Sequence, residues 1–505
     1  MKAFRFKLDI VWLFALLAST FFAYSIAKEF WLGAVGVLGG TVLILVGISR
    51  PLLLTMTWVI GGPTIFIFGD DMLASVPILN VDRAVYLVVA GFFLARLILR
   101  SGSMQKPSAV EKAMALYLLI IFVSWATTID EKPYKELKED IVLLLEAFFM
   151  PYTAFILARN VDWTPALLKA CLFALLFVAA YEVMAGFAQY LFDLYIFHPQ
   201  RFHLQHDDRL TGSFVNSLPY GIIMSIFFFL IMFLYLYSKD QLLRIGLMLL
   251  AVAVLLCIVL SKGRGAWLGL MVGCAYVFLH CPRIRPVLGP AAVVALFGGP
   301  LALPFVADLS ELSTRLTDAA PIYNRVALYG TAIEMIKDKP LFGFGFGMDT
   351  FNNYKAHYYE SYAGVPAQYA ALVVVPHNEF LRIMVLLGLP GLFAYLLLLW
   401  TLYRPLAVGA KRFAESDTFT ADLAVFVLAG FLVVLINMMF LDMMGVPPVL
   451  IVMMFLFGIA IRQVELRTEA EQAQARPAQD AAAVRAGPGP RPTPGVRPTS
   501  GARPT

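Results

Sequence analysis

Apolar residues along this chain come mostly in blocks of about 17–25 separated by short polar turns, the length a helix needs to cross a hydrocarbon core roughly 30 Å thick. The blocks fall near 10–27, 31–48, 51–68, 84–99, 113–129, 141–158, 164–192, 216–237, 243–260, 265–280, 286–306, 378–403, 421–441 and 446–461. None alternates apolar and polar positions as a barrel strand does, and backbone groups in lipid must be satisfied within the segment. The expected fold is therefore all-α, a polytopic transmembrane helical bundle of about 12–14 spans.

Composition strengthens this reading. The 505 residues are 60% hydrophobic and 14% charged, with a mean hydropathy of +0.78, and a soluble domain of that length does not hide so much apolar surface. The net charge of +5 is ordinary for a membrane protein and gives no pointer to nucleic acid. Cys171, Cys257, Cys274 and Cys281 lie in spans or at their edges, so neither a disulfide framework nor a CxxC metal site is expected.

Lysines and arginines set the orientation. With the first residues in the cytoplasm, the inner loops receive Lys2, Arg5, Lys7, Arg50, Arg96, Arg100, Lys239, Arg283, Arg285, Lys411 and Arg412 among others, and both termini fall inside. Outer cations are mostly mixed with acids, as in DEKPYKELKED at 130–140. The tripeptide SIA at 25–27 resembles a signal cleavage site, whose use leaves the remaining topology unchanged. The chain divides into N-terminal transmembrane helices (1–306), a large outer loop (307–376), C-terminal transmembrane helices (377–462) and an inner tail (463–505). The Ala/Pro/Arg/Gly sequence of the tail buries no core and is expected to be disordered.

Polar residues collect on the outer face. His198, His203, His206, His357 and His377 lie there, as do Arg201, Arg209, Arg264, Arg315 and Arg325. Chemistry is expected at this mouth, out of direct reach of cytoplasmic ATP or nucleotide sugars. Within the large loop, PIYNRVALYGTAIEMIK at 321–337 sets Val326, Tyr329, Ile333 and Ile336 at helical spacing behind Pro321. This predicts an amphipathic helix with Arg325 on its first turn. The following DKPLFGFGFGMDTF (338–351) lacks the strand and the Gly-Lys-Ser/Thr of a phosphate loop. Its glycines predict a turn that tucks Phe344 and Phe346 against the bundle. His203 and His206 with Asp207 and Asp208 hint at a metal site, but a solvated loop is the better reading, and no other histidine–carboxylate cluster has ligand spacing. Glu146 and Glu182 lie inside spans, where an acid is costly. Each is a functional candidate or a protonated partner for a neighbouring helix.

The stretches RLTGSFVN (209–216), SKGRGAWLGL (261–270), NRVALYGTAIEMIKDKPLFGFGFGMDTF (324–351) and HNEFLRIMVLLGLPGLF (377–393), in that order, resemble the signatures of the O-antigen ligase and polymerase superfamily. These are bacterial inner-membrane glycosyltransferases that act at the periplasmic face. The resemblance covers roughly residues 200–395 and departs from the family where NSLP delays the proline to Pro219 and where Arg382 adds a charge. It implies a metal-independent transfer, without cofactor, of a glycan from undecaprenyl diphosphate to an acceptor hydroxyl, either lipid A–core or a second lipid-linked glycan. Membrane lipids and other polysaccharide-assembly proteins are further expected partners.

On this reading Arg264 and Arg209 hold the diphosphate, because a guanidinium grips phosphate oxygens bidentately and stays charged. Gly263 and Gly265 let the headgroup approach, and Lys262, Arg325 and Arg315 add substrate contacts. His377 accepts the acceptor's proton; the helix that begins beside it disfavours the imidazolium. Asn378 caps that helix and Glu379 orients the ring or pairs with an arginine. As lone features, Lys262 and Arg264 would more simply anchor a turn to lipid phosphates, and His377 would be a capping residue. Within the class, a ligase is favoured over a Wzy-type O-antigen or exopolysaccharide polymerase and a protein O-oligosaccharyltransferase. The rival from another class is a lipid-linked glycan transporter or flippase, for which the polar residues lie at the rim rather than at midplane.

Overall fold

The computed structural model describes residues 50–64, 80–98, 104–195, 209–214, 216–290, 320–359 and 375–486. The described chain is helical: α1 (Pro51–Gly61), α2 (Val81–Ile98), α3 (Ala109–Ala126), α4 (Tyr134–Arg159), α5 (Pro165–Phe192), α6 (Ser217–Tyr237), α7 (Gln241–Leu260), α8 (Arg264–His280), α9 (Ala320–Asp338), α10 (Thr350–Tyr359), α11 (Glu379–Arg412), α12 (Thr418–Met438) and α13 (Pro447–Ala486). Eight of these are long and apolar enough to cross a membrane, which makes the protein an all-α polytopic bundle. The first two expected spans and most of 286–306 lie outside the described residues.

Spans begin where a polar side chain takes over an orphan amide. Ser108 and Glu111 form a capping box at α3, and Thr164, Asn216, Asp240 and Asp417 cap α5, α6, α7 and α12. Asn216 resolves the delayed proline, since Pro219 falls in the first turn of α6, where its missing amide costs nothing. α6 is apolar on all sides and buried almost throughout, the pattern of a central helix. α12 packs on it, and α8 packs on α12 through a stripe of Gly265, Gly269 and Gly273. A Cβ on Gly265 would lie 2.5 Å from Asn437 Oδ1, one on Gly269 3.1 Å from Val433 Cα, and one on Gly273 2.5 Å from Phe229 Cζ. Small residues four apart let two helices approach closely where lipid supplies no hydrophobic drive.

A second device sits in α11, which breaks at Gly388 (φ 65°) just before Pro390. Carbonyls freed by such a break must find donors nearby. The glycine turn after α9 supplies them. Phe344 N donates to Val385 O at 2.8 Å and Gly345 N to Leu386 O at 3.1 Å, while Leu389 N donates to Pro340 O at 2.9 Å. Contact is so close that a Cβ on Gly388 would lie 2.3 Å from Leu341 O. Gly343 and Gly345 have positive φ, and Phe344 and Phe346 are buried, as the sequence predicts. The partner was not visible in the sequence. Asp140 pins the far side of the turn, accepting from Met348 N at 2.8 Å and from Lys132 Nζ at 2.6 Å; the same Nζ donates to Phe346 O.

The structure alters several expectations. α9 forms as predicted, but its buried face is Ala327, Leu328, Thr331, Ala332 and Met335, whereas Val326 and Ile333 are exposed. The helix docks on Phe344, Phe351 and Val385 through that face, with Tyr329 and Ile336 of the predicted stripe packed against it and Val326 and Ile333 left out. Residues 282–290 are bent 110° from α8, a break the sequence pattern does not announce. α13 runs on to Ala486, past the expected tail boundary at 463. Ion pairs explain its extension: Arg159 with Glu465 at 2.8 Å, Arg462 with Glu469 at 3.1 Å and Arg412 with Glu471 at 2.7 Å. Residues 487–505 of the expected tail lie outside the described residues.

The glycine stripe makes a direct prediction. Gly273→Leu should destabilise the detergent-solubilised protein by ~1–3 kcal/mol through overpacking, read as a lower thermal unfolding midpoint. Gly246→Ala in α7, where a Cβ meets nothing within 4 Å, should leave the midpoint unchanged or raise it slightly.

Candidate functional site

The turn that carries Lys262 and Arg264 is closed by its own backbone. Ser261 N donates to Cys257 O and Lys262 N to Val259 O, which sets Lys262 in the left-handed region at φ 53°. Trp267 Nε1 reaches back to Ile258 O at 2.8 Å and locks the two helices around the turn. Arg264 opens α8 and is exposed. The glycine beside it serves packing rather than headgroup approach: Asn437 Nδ2 donates to Gly265 O at 3.1 Å, and its Oδ1 occupies the space a Cβ would need. Gly263 is the N-cap, and a Cβ there would make only ordinary contacts.

Arg209 stands beside this turn, because Leu210 N donates to Leu260 O at 3.1 Å. Its loop is held from below by one face of α5. Gln189 Oε1 accepts from Thr211 N at 3.0 Å and Gly212 N at 3.2 Å, and Gln189 Nε2 donates to Arg209 O at 3.3 Å. Two turns earlier, fully buried Glu182 accepts from Ser213 N at 3.1 Å and from Ser213 Oγ. Gly212 (φ 56°) fits only as glycine, since a Cβ would lie 2.5 Å from Glu182 Oε2 and 2.4 Å from the Tyr220 ring. The acid inside α5 therefore holds a loop. Glu146 is paired at 2.7 Å with Arg83 in a π-helical turn of α4. A pairing of each acid with a neighbour accounts for both residues, which weakens the transporter reading built on them.

His377 precedes α11 with φ 50°, a rare backbone state for a residue with a side chain. Asn378 is the N-cap: its Oδ1 accepts from Leu381 N at 3.1 Å and its Nδ2 donates to Met439 O at 3.3 Å. Tyr329 of α9 donates to the same Met439 O at 2.7 Å and lies 3.4 Å from His377 O. Arg325, one turn before Tyr329, lies over the Phe440 ring at 5.6 Å from its centroid. Burial and the Arg325 charge both hold the His377 imidazole below its ordinary range, so the neutral ring is favoured. Glu379 does not reach the surface. It is buried, accepts from Met443 N at 2.9 Å and has Arg382 beside it. Arg382 in turn pairs with Asp442 inside the wall, so the extra charge in this motif braces the α12–α13 connection.

These contacts join the predicted residues into one end of the bundle. The Arg209 loop touches the Lys262–Arg264 turn, which touches Asn437. The turn after α12 carries Met439 and Phe440 to Tyr329, Arg325 and Asn378, next to His377. Arg315, His198, His203 and His206 lie outside the described residues, while His357 is exposed on α10. Among the described residues no group of three or more His, Cys, Asp or Glu is placed to hold a metal. Sequence reasoning missed Asn437, Gln189, Tyr329 and Asp442. Asn437 was the most discoverable, as a lone amide near the end of an apolar span. A rim with several cations, a neutral imidazole and few acids is suited to binding a polyanion and taking a proton from a hydroxyl.

A profile of the family described as O-Antigen ligase matches residues 249–396, from the middle of α7 to the first turns of α11 beyond its break. Two rickettsial proteins, each named "Putative polysaccharide ligase", are similar to this chain. That of Rickettsia felis is 27% identical over 161 residues, 30% of this chain and 38% of the relative. That of Rickettsia bellii is 26% identical over 175 residues, 34% of this chain and 42% of the relative. The chain spans about two fifths of the length of these curated relatives. The match encloses the Lys262–Arg264 turn, Arg325, the glycine turn and His377 with the first half of its helix, and with the two relatives it supports the resemblance to the O-antigen ligase and polymerase superfamily.

Proposed function

We propose that the protein is an inner-membrane glycosyltransferase that moves a glycan from undecaprenyl diphosphate to an acceptor hydroxyl at the periplasmic face, in the manner of an O-antigen ligase. The observation that carries this reading is the convergence of the Arg209 loop, the Lys262–Arg264 turn, Arg325 and His377 at one end of the bundle, inside or next to the family match. His377 accepts the proton of the acceptor hydroxyl. The acceptor oxygen bonds to the anomeric carbon as the bond from that carbon to the diphosphate oxygen breaks, and the electron pair leaves with the diphosphate. Arg264 and Arg209 stabilise the charge that builds there, with Lys262 and Arg325 adding to the field. Lipid A–core is the favoured acceptor. No metal has a step in this scheme.

Purified protein in nanodiscs, given an undecaprenyl-diphosphate-linked glycan and acceptor, tests the roles. Arg264→Ala or Arg209→Ala should lower kcat/KM about 10²-fold or more. Arg264→Lys should recover only part, because an ammonium lacks the planar fork. Full activity in both alanine variants would refute the assignment. In cells, deletion of the gene should leave core without any repeat on a surface-glycan gel. A single repeat on core would instead indicate a polymerase, and unchanged glycans would count against both.

The pH dependence follows from the sign of the His377 shift. Transfer needs the neutral ring, so activity should fall as pH drops through a pKa below the ordinary histidine value of about 6.5. Burial is the larger cause and Arg325 the smaller. Arg325→Gln should therefore move the acidic limb of the kcat/KM profile upward without carrying it past the ordinary value. An unmoved limb would separate His377 from the titration.

A further inference from the structure

At the end of the bundle away from Arg264, a cavity of about 630 Å³ opens among the first turns of α5 and α12, the last turn of α6 and the part of α13 around residues 463–470. That size is typical of small-molecule sites. Its lining divides by chemistry. Leu168, Leu172 and Leu234 form a buried apolar channel. Lys169, Gln463 and Arg467 bring polar groups to the same space, and Lys169 and Arg467 are exposed. Gln463 Nε2 is a buried donor with no hydrogen-bond partner among the described residues, which is costly unless something fills the cavity and accepts from it.

The one carboxylate in the lining is already engaged. Asp417 accepts from Thr420 N at 3.3 Å and Thr420 Oγ1 at 2.8 Å, and it pairs with Arg467 Nε at 3.2 Å. That pair fixes the guanidinium by its Nε and leaves Lys169, whose Nζ lies 5.7 Å from the Phe173 ring centroid, as the charge of the lining that has no acid beside it among the described residues. Trp163 and Tyr237 also border the cavity, and such aromatics sit at headgroup depth in a bilayer. Basic pockets between span ends at that depth receive anionic headgroups. A channel of leucines beside them has no use for a soluble anion.

We propose that this cavity is a binding site for one anionic phospholipid. Its phosphate sits among Lys169, Gln463 Nε2 and the guanidinium of Arg467, and one acyl chain runs along Leu168, Leu172 and Leu234. The site lies at the opposite end from the proposed catalytic rim and does not depend on the reaction assigned there.

The test uses the full chain and three probes: phosphatidylglycerol, phosphatidylcholine and inorganic phosphate. Native mass spectrometry counts retained lipid, and thermal unfolding reads the consequence. Phosphatidylglycerol should be retained and should raise the unfolding midpoint above that in phosphatidylcholine. Lys169→Gln with Arg467→Gln should lower its occupancy at limiting lipid about tenfold or more. Because Arg467→Gln also breaks an ion pair, Leu172→Trp is the second variant. It fills the channel, leaves every charge in place and should abolish the phosphatidylglycerol-specific rise. Equal retention of the two lipids, an undiminished effect in both variants, or a phosphate effect as large as that of the lipid would each overturn the proposal.

Discussion

The break in α11 is the constraint around which the proposed catalytic end is arranged. Pro390 and the left-handed Gly388 leave the Val385 and Leu386 carbonyls without their helical donors, deep in a bundle where water cannot replace them. Their donors are the Phe344 and Gly345 amides, with Ser124 Oγ also donating to Leu386 O at 3.4 Å, so the turn enters the bundle and its glycines must stay glycines. Once it is seated, α9 is carried onto the start of α11, and Tyr329 and Arg325 arrive beside His377. Two motifs that look unrelated in sequence, LFGFGFG and LLGLPG, are the halves of one joint.

The spans were legible because each element is a long apolar block whose limits are marked by caps and charges. Arg264 and His377 stand out in the sequence for a related reason: polar residues next to apolar blocks carry a cost, and the roles proposed for them rest on the proposed function. What remained hidden were partners distant in sequence. Nothing in the spacing says that Asp140 receives Met348 N, or that Glu182 receives Ser213 N. Gly265 was misread because a glycine beside an arginine suggests room for a ligand, when its neighbour is the Asn437 amide. The face of α9 was misjudged because hydrophobicity favours Val326 and Ile333, while docking selects the smaller Ala327 and Ala332, which allow a close approach.

The two ends of the bundle use charge differently. Away from Arg264, several arginines are matched with acids: Arg159 with Glu111 and Glu465, Arg412 with Glu471, Arg283 with Asp422. Such pairs hold elements together. At the proposed catalytic end Arg325 rests on a ring, which positions a cation without neutralising it. The acids nearest to this rim, Glu379 and Asp442, are turned inward to Met443 N and Arg382.

The interlock of α8 with α12 also bears on how the protein moves. Where Gly265, Gly269 and Gly273 meet Asn437, Val433 and Phe229, no side chain is left to swing and create slack. The arginine turn and the Met439–Phe440 turn therefore travel as one stiff jaw. On the proposed function a glycan entering and leaving would meet α9 as the opposite jaw, which among the described residues is tied to the first by the Tyr329 hydroxyl on Met439 O and the Arg325 guanidinium over Phe440.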